Sequence, residues 1–193
     1  MTDLVAPPAL KKDTRQLAVG LSAAAALLLV AASFTHAWLV NGSMNVGFSL
    51  LSLSKCAGDA CDSMSNFEMI SQIRRFDPEH ASAAFAPMGV ATMALCLVGA
   101  IGLALCAYLG FAKKRVAWPV APATIALLGI MGALITGCVF IASKPGGVGA
   151  VGVGWSFWAF GIGSVAGIAG AQMLNKLIKP VDPDLAAMNL DGG

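Results

Sequence analysis

The chain has 193 residues, of which 58% are hydrophobic and only 11% are charged, and its formal net charge is +2. Soluble domains average about 45–50% apolar and about 25% charged residues, so this composition indicates an integral membrane protein. The near-neutral charge, with basic residues in small separate groups, excludes a nucleic-acid partner.

Four apolar segments are each long enough to cross about 30 Å of hydrocarbon as a helix. The first covers residues 16–40 and follows a cytoplasmic N-terminus of residues 1–15. Its basic flank resembles the start of a signal peptide, but the apolar run is longer than such peptides require, so we expect a retained helix. The remaining segments are an outer loop (41–80), the second span (81–112), a cytoplasmic turn (113–115), the third span (116–142), a short outer turn (143–148), the fourth span (149–174) and a cytoplasmic tail (175–193).

Basic residues are distributed unequally between the two sides of the membrane. Eight lie on the side of the termini, whereas the other side carries four basic and five acidic residues. The positive-inside rule therefore predicts a plasma or inner membrane protein with cytoplasmic termini and an extracellular or periplasmic loop. Tryptophans near helix ends favour the headgroup region, and interface anchoring is the simplest role for Trp38, Trp118, Trp155 and Trp158.

The outer loop contains two different patterns. Apolar and small residues alternate from Val46 to Ser54, which predicts β-strand. Phe67, Ile70 and Ile73 recur at helical spacing opposite a charged face, which predicts a short amphipathic helix. This helix could lie on the membrane surface, but packing in the loop's own small core is the interpretation we favour.

Cysteines divide between the loop and the spans. Cys56 and Cys61 lie between the two loop elements on the oxidising side, so we expect a disulfide bond between them. The cysteines inside the spans are interpreted as small apolar packing residues: Cys96, Cys106 and Cys138.

Short motifs in chain order resemble the claudin superfamily, the tetraspan proteins that include claudins, peripheral myelin proteins, and calcium-channel gamma and glutamate-receptor auxiliary subunits. A run of small residues closes on Trp38 at the end of the first span, a Gly-Phe segment precedes the cysteine pair, and a Gly-Trp pair opens the fourth span. The positions that carry the resemblance are Trp38, Gly47, Cys56, Cys61, Gly154 and Trp155. The tryptophan of the family's Gly-Leu-Trp motif is absent here, and the loop is shorter than in typical claudins.

The resemblance implies an all-α membrane protein, a claudin-like four-helix transmembrane bundle with a small extracellular antiparallel sheet and a short amphipathic helix in the first outer loop. It also implies a non-enzymatic accessory subunit or adhesion element. The spans support this interpretation, because they contain no Asp, Glu, Lys or Arg, the residues that mark most transport and proton pathways.

We therefore expect no catalytic residue, no cofactor and no metal, and we expect the bilayer and a larger membrane complex or homo-oligomer as partners. Small residues that recur in the third and fourth spans suit helix contacts, within the bundle or, as a less favoured use, against a partner. Candidate contact residues are Phe48, Leu50, Leu51, Phe67, Ile70, Ile73, Gly163 and Gly167.

Two other functions are weighed against this one. A membrane thiol-disulfide oxidoreductase could use Cys56 and Cys61, although such enzymes need a Cys-x-x-Cys pair and a second pair that relays electrons. A metal-binding subunit of a larger complex could use soft ligands, although none has a recognised spacing. The residues considered for copper are His36, Met44, Met64, Met69 and His80.

Overall fold

The structure is a computed structural model that describes residues 12–42, 44–57, 60–112, 120–145 and 151–175. Predicted features that lie outside these ranges include the basic turn 113–115, Trp118 and nearly all of the tail. The elements in chain order are α1 (Lys12–Phe34), β1 (Leu39–Asn41), β2 (Val46–Phe48), β3 (Ser52–Ala57), β4 (Ala60–Ser65), α2 (Asn66–Phe76), a 3₁₀ turn (Pro78–His80), α3 (Phe85–Ala112), α4 (Pro122–Ala142), β5 (Gly152–Val153) and α5 (Trp155–Asn175).

The four helices α1, α3, α4 and α5 are long and apolar enough to cross a membrane. They confirm the predicted bundle of a multi-pass membrane protein. Helix α1 packs against α3 and α5, and α4 packs mainly against α3. Large apolar side chains also cover the outside of the bundle, as expected where one side of each helix meets protein and the other meets lipid.

The helices are shorter than the predicted spans at the sheet end of the bundle. Helix α1 ends at Phe34, although the span was predicted to reach residue 40, because Leu39–Asn41 instead pairs with Val46–Phe48. Helix α5 begins at Trp155 rather than at residue 149, because Gly152–Val153 also joins the sheet. Helix α3 begins at Phe85, after the 3₁₀ turn.

Helix α4 begins at Pro122, whereas the third span was predicted to begin at residue 116. A proline in the first turn removes an amide that would have no partner in the helix, so it suits a helix start.

The five strands form one antiparallel sheet in the order β4-β3-β2-β1-β5. Leu39 lies opposite Phe48 on one side and Val153 on the other, so β1 joins the loop after α1 to the segment before α5. This confirms the predicted sheet. Strand β5 and most of β1 lie outside the 41–80 loop, from which the sheet was predicted to form.

Glycine contacts bring α3 and α4 close together. A Cβ atom added at Gly102 would lie 2.6 Å from the backbone nitrogen of Ala126, and one added at Gly129 would lie 2.5 Å from that of Gly99. Only glycine allows this separation, because any side chain would meet the backbone of the facing helix. Two hydroxyls strengthen the same interface, since Thr92 Oγ1 donates a hydrogen bond of 2.9 Å to Thr136 Oγ1.

Candidate functional site

A disulfide bond joins Cys56 to Cys61, as predicted. The two residues are register partners on β3 and β4, so the bond closes the end of a hairpin. Because the closed loop is short, its stabilising effect is about 2 kcal/mol and acts mainly on the hairpin. The disulfide therefore fixes the edge of the sheet without determining how the sheet meets the helices.

Trp38 connects the sheet to the helices. Its side chain is 0% exposed and touches Phe140, Phe157 and Phe160, with ring centroids 5.1–6.2 Å apart. The indole Nε1 donates a hydrogen bond of 2.6 Å to the carbonyl oxygen of Ala32, which satisfies the polar end of the ring. The predicted role of Trp38 as an interface anchor is therefore wrong, because it is a core residue.

Trp155 and Trp158 face outward from α5, as expected of anchors in a headgroup region. The amide of Gly154, directly before Trp155, donates a hydrogen bond of 2.9 Å to the carbonyl oxygen of Trp38. Both Trp38 and Trp155 thus lie at the sheet end of the bundle.

Gly47 and Gly154 lie where two backbone segments meet. A Cβ atom at Gly47 would overlap the carbonyl oxygen of His36, and one at Gly154 would overlap that of Ala37. Both carbonyls belong to the short connection between α1 and β1. The two glycines therefore let the sheet approach the end of α1.

The candidate contact residues of the outer loop separate into buried and exposed groups. Phe48 and Leu50 are buried in the core that the sheet shares with the helices, so they offer no surface to a partner. Ile70 is 6% exposed and packs against the same core. Leu51 and Phe67 are exposed, and they are the members of this set that remain available for contact. Ile73 is half-buried and packs against the core.

On the predicted apolar face of α2, Ile70 is buried and Ile73 is half-buried, but Phe67 is exposed. The buried residues of the helix are Asn66, Met69 and Ile70, whereas Phe67 is 56% exposed. The Asn66 side-chain amide donates to the carbonyl oxygens of Ser49 and Leu50, at 3.2 and 3.1 Å. These bonds bind the start of α2 to the loop before β3.

Gly163 and Gly167 face the interior of the bundle. A Cβ atom at Gly163 would lie 3.0 Å from Leu28 Cβ on α1, and one at Gly167 would lie 2.9 Å from both Ile130 and Leu103. Their small size is used for packing within the chain, as the favoured interpretation held. They do not form an external contact surface.

A comparison with protein-family models finds no match for this sequence, and a search of the curated proteins finds none either. A fold by itself does not fix a function. Function therefore has to be inferred from the side chains and surfaces of this chain.

The groups considered for redox or metal chemistry are dispersed. Among the described residues no three His, Cys, Asp or Glu side chains are grouped closely enough to hold a metal ion. His36 Nε2 lies 3.3 Å from Ser52 Oγ, and His80 Nδ1 lies 2.8 Å from Asp77 Oδ2. Cys96 and Cys106 are buried in α3, in a different part of the chain from the loop disulfide.

The structure contains a surface groove between α1 and α3 that the sequence did not reveal. Its volume is about 470 Å³, and its floor consists mainly of alanines. Exposed branched side chains form its walls, among them Leu27, which is 72% exposed, and Ile101, which is 61% exposed. The lining residues are Ala23, Ala26, Leu27, Val30, Leu97, Ala100, Ile101, Ala104 and Ala107. The alanines recur at helical spacing on both helices, which is the one signal for this groove that the sequence carries.

Proposed function

We propose that the protein is a non-enzymatic accessory subunit of a larger membrane complex or homo-oligomer, and that the α1–α3 groove receives a transmembrane helix of the partner. The groove is the observation that carries this proposal. Small residues on a lipid-facing surface let a second helix approach closely, and van der Waals packing is what drives helix association in lipid. The walls supplied by Leu27 and Ile101 would pack on either side of the bound helix.

The chemistry of the spans supports the same function. Some polar side chains within the bundle bond to one another or to backbone carbonyls: Ser33 Oγ donates to the carbonyl of Leu29 at 2.7 Å, and Thr92 donates to Thr136. Charged side chains, which transport and proton transfer generally need, are absent from the apolar spans in the sequence. Packing is therefore the function that these helices are best suited to perform.

A substitution that fills the groove tests the proposal. Ala104 is exposed within the groove, and Ala104→Phe would place a ring where the partner helix packs. Overpacking a close contact costs about 1–3 kcal/mol, so we expect A104F to weaken partner binding by about tenfold or more. The protein would be purified from the native membrane in a mild detergent. Mass spectrometry then identifies a different protein that co-purifies, and light scattering detects a second copy of this chain.

The comparison variant is Ala169→Phe, which enlarges an exposed alanine outside the α1–α3 groove, in a second apolar groove of about 660 Å³ on α1 and α5. A169F should retain the partner as the wild type does. Equal retention by A104F and A169F would show that the α1–α3 groove holds only lipid. Loss of the partner by A169F and not by A104F would place the partner in that second groove. A wild-type protein that purifies as a lone monomer would overturn the accessory function itself.

We further infer a distant relationship to the claudin superfamily. The support is the order of features along the chain: an apolar helix, a tryptophan closing it, an antiparallel sheet with a hairpin disulfide, a short helix, and three further apolar helices. The close-packed glycines at positions 47 and 154 fall on the motifs that resemble the family. A cryo-electron microscopy map in which the four helices pack in another arrangement, or in which β1 and β5 do not pair, would contradict the relationship.

We also propose that the sheet lies on the extracellular or periplasmic side, with both termini in the cytoplasm. The Cys56–Cys61 disulfide supports this, since such bonds persist in oxidising compartments. In intact cells a membrane-impermeant maleimide should label Cys56 and Cys61 only after treatment with an impermeant phosphine reductant. The double variant Cys56→Ser, Cys61→Ser should remain unlabelled, which controls for the remaining cysteines. Labelling that requires cell lysis would place the loop in the cytoplasm.

A further inference from the structure

A second concave site lies between α2 and the beginning of α3. Its volume is about 150 Å³, and it is lined by Phe67, Ile70, Ser71, Arg74, Ala83, Ala86 and Pro87. Helix α3 begins its apolar span beside the cleft, so in a bilayer we expect the cleft at the level where hydrocarbon meets the headgroup layer. The cleft is separate from the α1–α3 groove and shares no lining residue with it.

The cleft has an apolar side and a cationic edge. On α2, Phe67, Ile70 and Arg74 follow one another at intervals of three and four residues, so they form a single stripe facing α3. Alanine and proline side chains of α3 complete the apolar side. The charge at the edge comes from Arg74. The Ser71 hydroxyl, which also lines the cleft, already donates a 2.7 Å hydrogen bond to the carbonyl oxygen of Glu68.

Arg74 has no carboxylate partner among the described residues. The ion pair recorded among the described residues joins His80 to Asp77, in the 3₁₀ turn and the residue before it. Within the same part of the chain, no hydrogen bond engages the Arg74 side chain. A guanidinium carries five N–H donors in a planar fork that matches the oxygens of a phosphate. An exposed arginine without a partner beside an apolar cleft is therefore suited to a ligand that combines a phosphate with hydrocarbon.

The outer surface of α3 continues the cleft into the membrane. Pro87, Val90 and Ala94 are exposed and recur at intervals of three and four residues, so they form one apolar stripe that descends from the cleft. An acyl chain could pack along this stripe while its headgroup remains at the level of Arg74. The lining contains no carboxylate that would bind the ammonium group of a choline or ethanolamine headgroup.

We propose that this cleft binds the headgroup of an anionic phospholipid, with the Arg74 guanidinium on the phosphate and the glycerol and acyl carbons against Phe67, Ile70 and Pro87. This site would fix the orientation of α2, and with it the sheet, against the membrane surface. It is independent of the partner proposed for the α1–α3 groove.

Lipid titration of the purified full-length protein tests the proposal. Native mass spectrometry in detergent would measure the binding of phosphatidylglycerol and of phosphatidylcholine to the wild type and to Arg74→Gln. The substitution removes a hydrogen bond between a charged donor and the phosphate, so we expect R74Q to weaken phosphatidylglycerol binding by about tenfold. Wild type should prefer phosphatidylglycerol to phosphatidylcholine, and R74Q should lose that preference.

Arg75→Gln is the matched control, because it removes the same charge one residue away and Arg75 does not line the cleft. R75Q should bind phosphatidylglycerol nearly as well as the wild type. Equal weakening by R74Q and R75Q would show diffuse attraction between loop and anionic lipid, and would overturn the site. Unchanged binding by R74Q, or equal wild-type affinity for the two lipids, would overturn it as well. We expect R74Q to unfold at the same temperature as the wild type, which would show that the substitution leaves the protein folded.

Discussion

Replacing Trp38 with alanine is expected to lower the free energy of unfolding by about 3–5 kcal/mol, as for other fully buried large aromatic residues. The cavity would open between three phenylalanine rings, those of Phe140, Phe157 and Phe160. These rings lie on α4 and α5, whereas the backbone of Trp38 bonds to Phe48 of the sheet. One substitution would therefore loosen the contact of the sheet with both helices.

Thermal unfolding in detergent, followed by differential scanning fluorimetry, measures the effect. Trp158→Ala is the matched control, since it removes the same side chain from a position that is 64% exposed. Trp38→Phe should have an intermediate effect, because it fills much of the cavity but loses the hydrogen bond to the Ala32 carbonyl. A W38A variant as stable as W158A would show that Trp38 is not a core residue.

Enlarging a glycine between α3 and α4 is expected to be comparably damaging. A leucine at Gly102 would place its Cβ 2.6 Å from the Ala126 nitrogen, and one at Gly129 would meet the backbone of Gly99. Backbone atoms cannot rotate away as side chains can, so the two helices would have to separate. Overpacking of this kind costs about 3 kcal/mol or more. Unfolding temperature and elution in size-exclusion chromatography would report the loss.

The control for this second experiment is Gly161→Leu. Apart from the backbone of its own helix and its chain neighbours, no described residue has a heavy atom within 4 Å of a Cβ built at Gly161, so the leucine would extend outward from α5. We expect G161L to be at least as stable as the wild type, since leucine favours helix more than glycine does by about 0.8–1 kcal/mol in soluble hosts. If G102L and G161L unfolded at the same temperature, the close α3–α4 contact would be refuted.

The contacts of Trp38 and the glycine contacts between α3 and α4 make the bundle a rigid support for the surfaces proposed to bind partners. The α1–α3 groove depends on the fixed position of α3, which the glycine contacts with α4 hold in place. The lipid cleft depends on the position of α2, which is set by the sheet and by the hydrogen bonds of Asn66. Damage at Trp38 should therefore reach the lipid cleft through the sheet, whereas a change at Arg74 should leave the bundle intact.

The candidate surfaces show the limit of reading apolar helices from sequence. A helix that is apolar on all sides gives no periodic signal to separate residues that face protein from residues that face lipid. Ala104 faces outward in the groove and Ala107 is buried beside it, and both are alanines in an apolar run. In α2 the apolar pattern predicted that Phe67 would be buried, but the buried residues are Asn66, Met69 and Ile70.

The sequence by itself determined the four membrane helices, the presence of β-structure in the loop after the first helix and the Cys56–Cys61 pairing, because segment length, side-chain alternation and cysteine position are properties of short stretches of chain. The antiparallel sheet was an implication of the family resemblance. Tertiary structure alone decided that Trp38 is a core residue, that Gly152–Val153 is a strand, and that Phe48 and Leu50 are buried. Each of these depends on contacts between segments far apart in the chain. Burial and strand pairing are properties of both partners together, and no single stretch of sequence contains both.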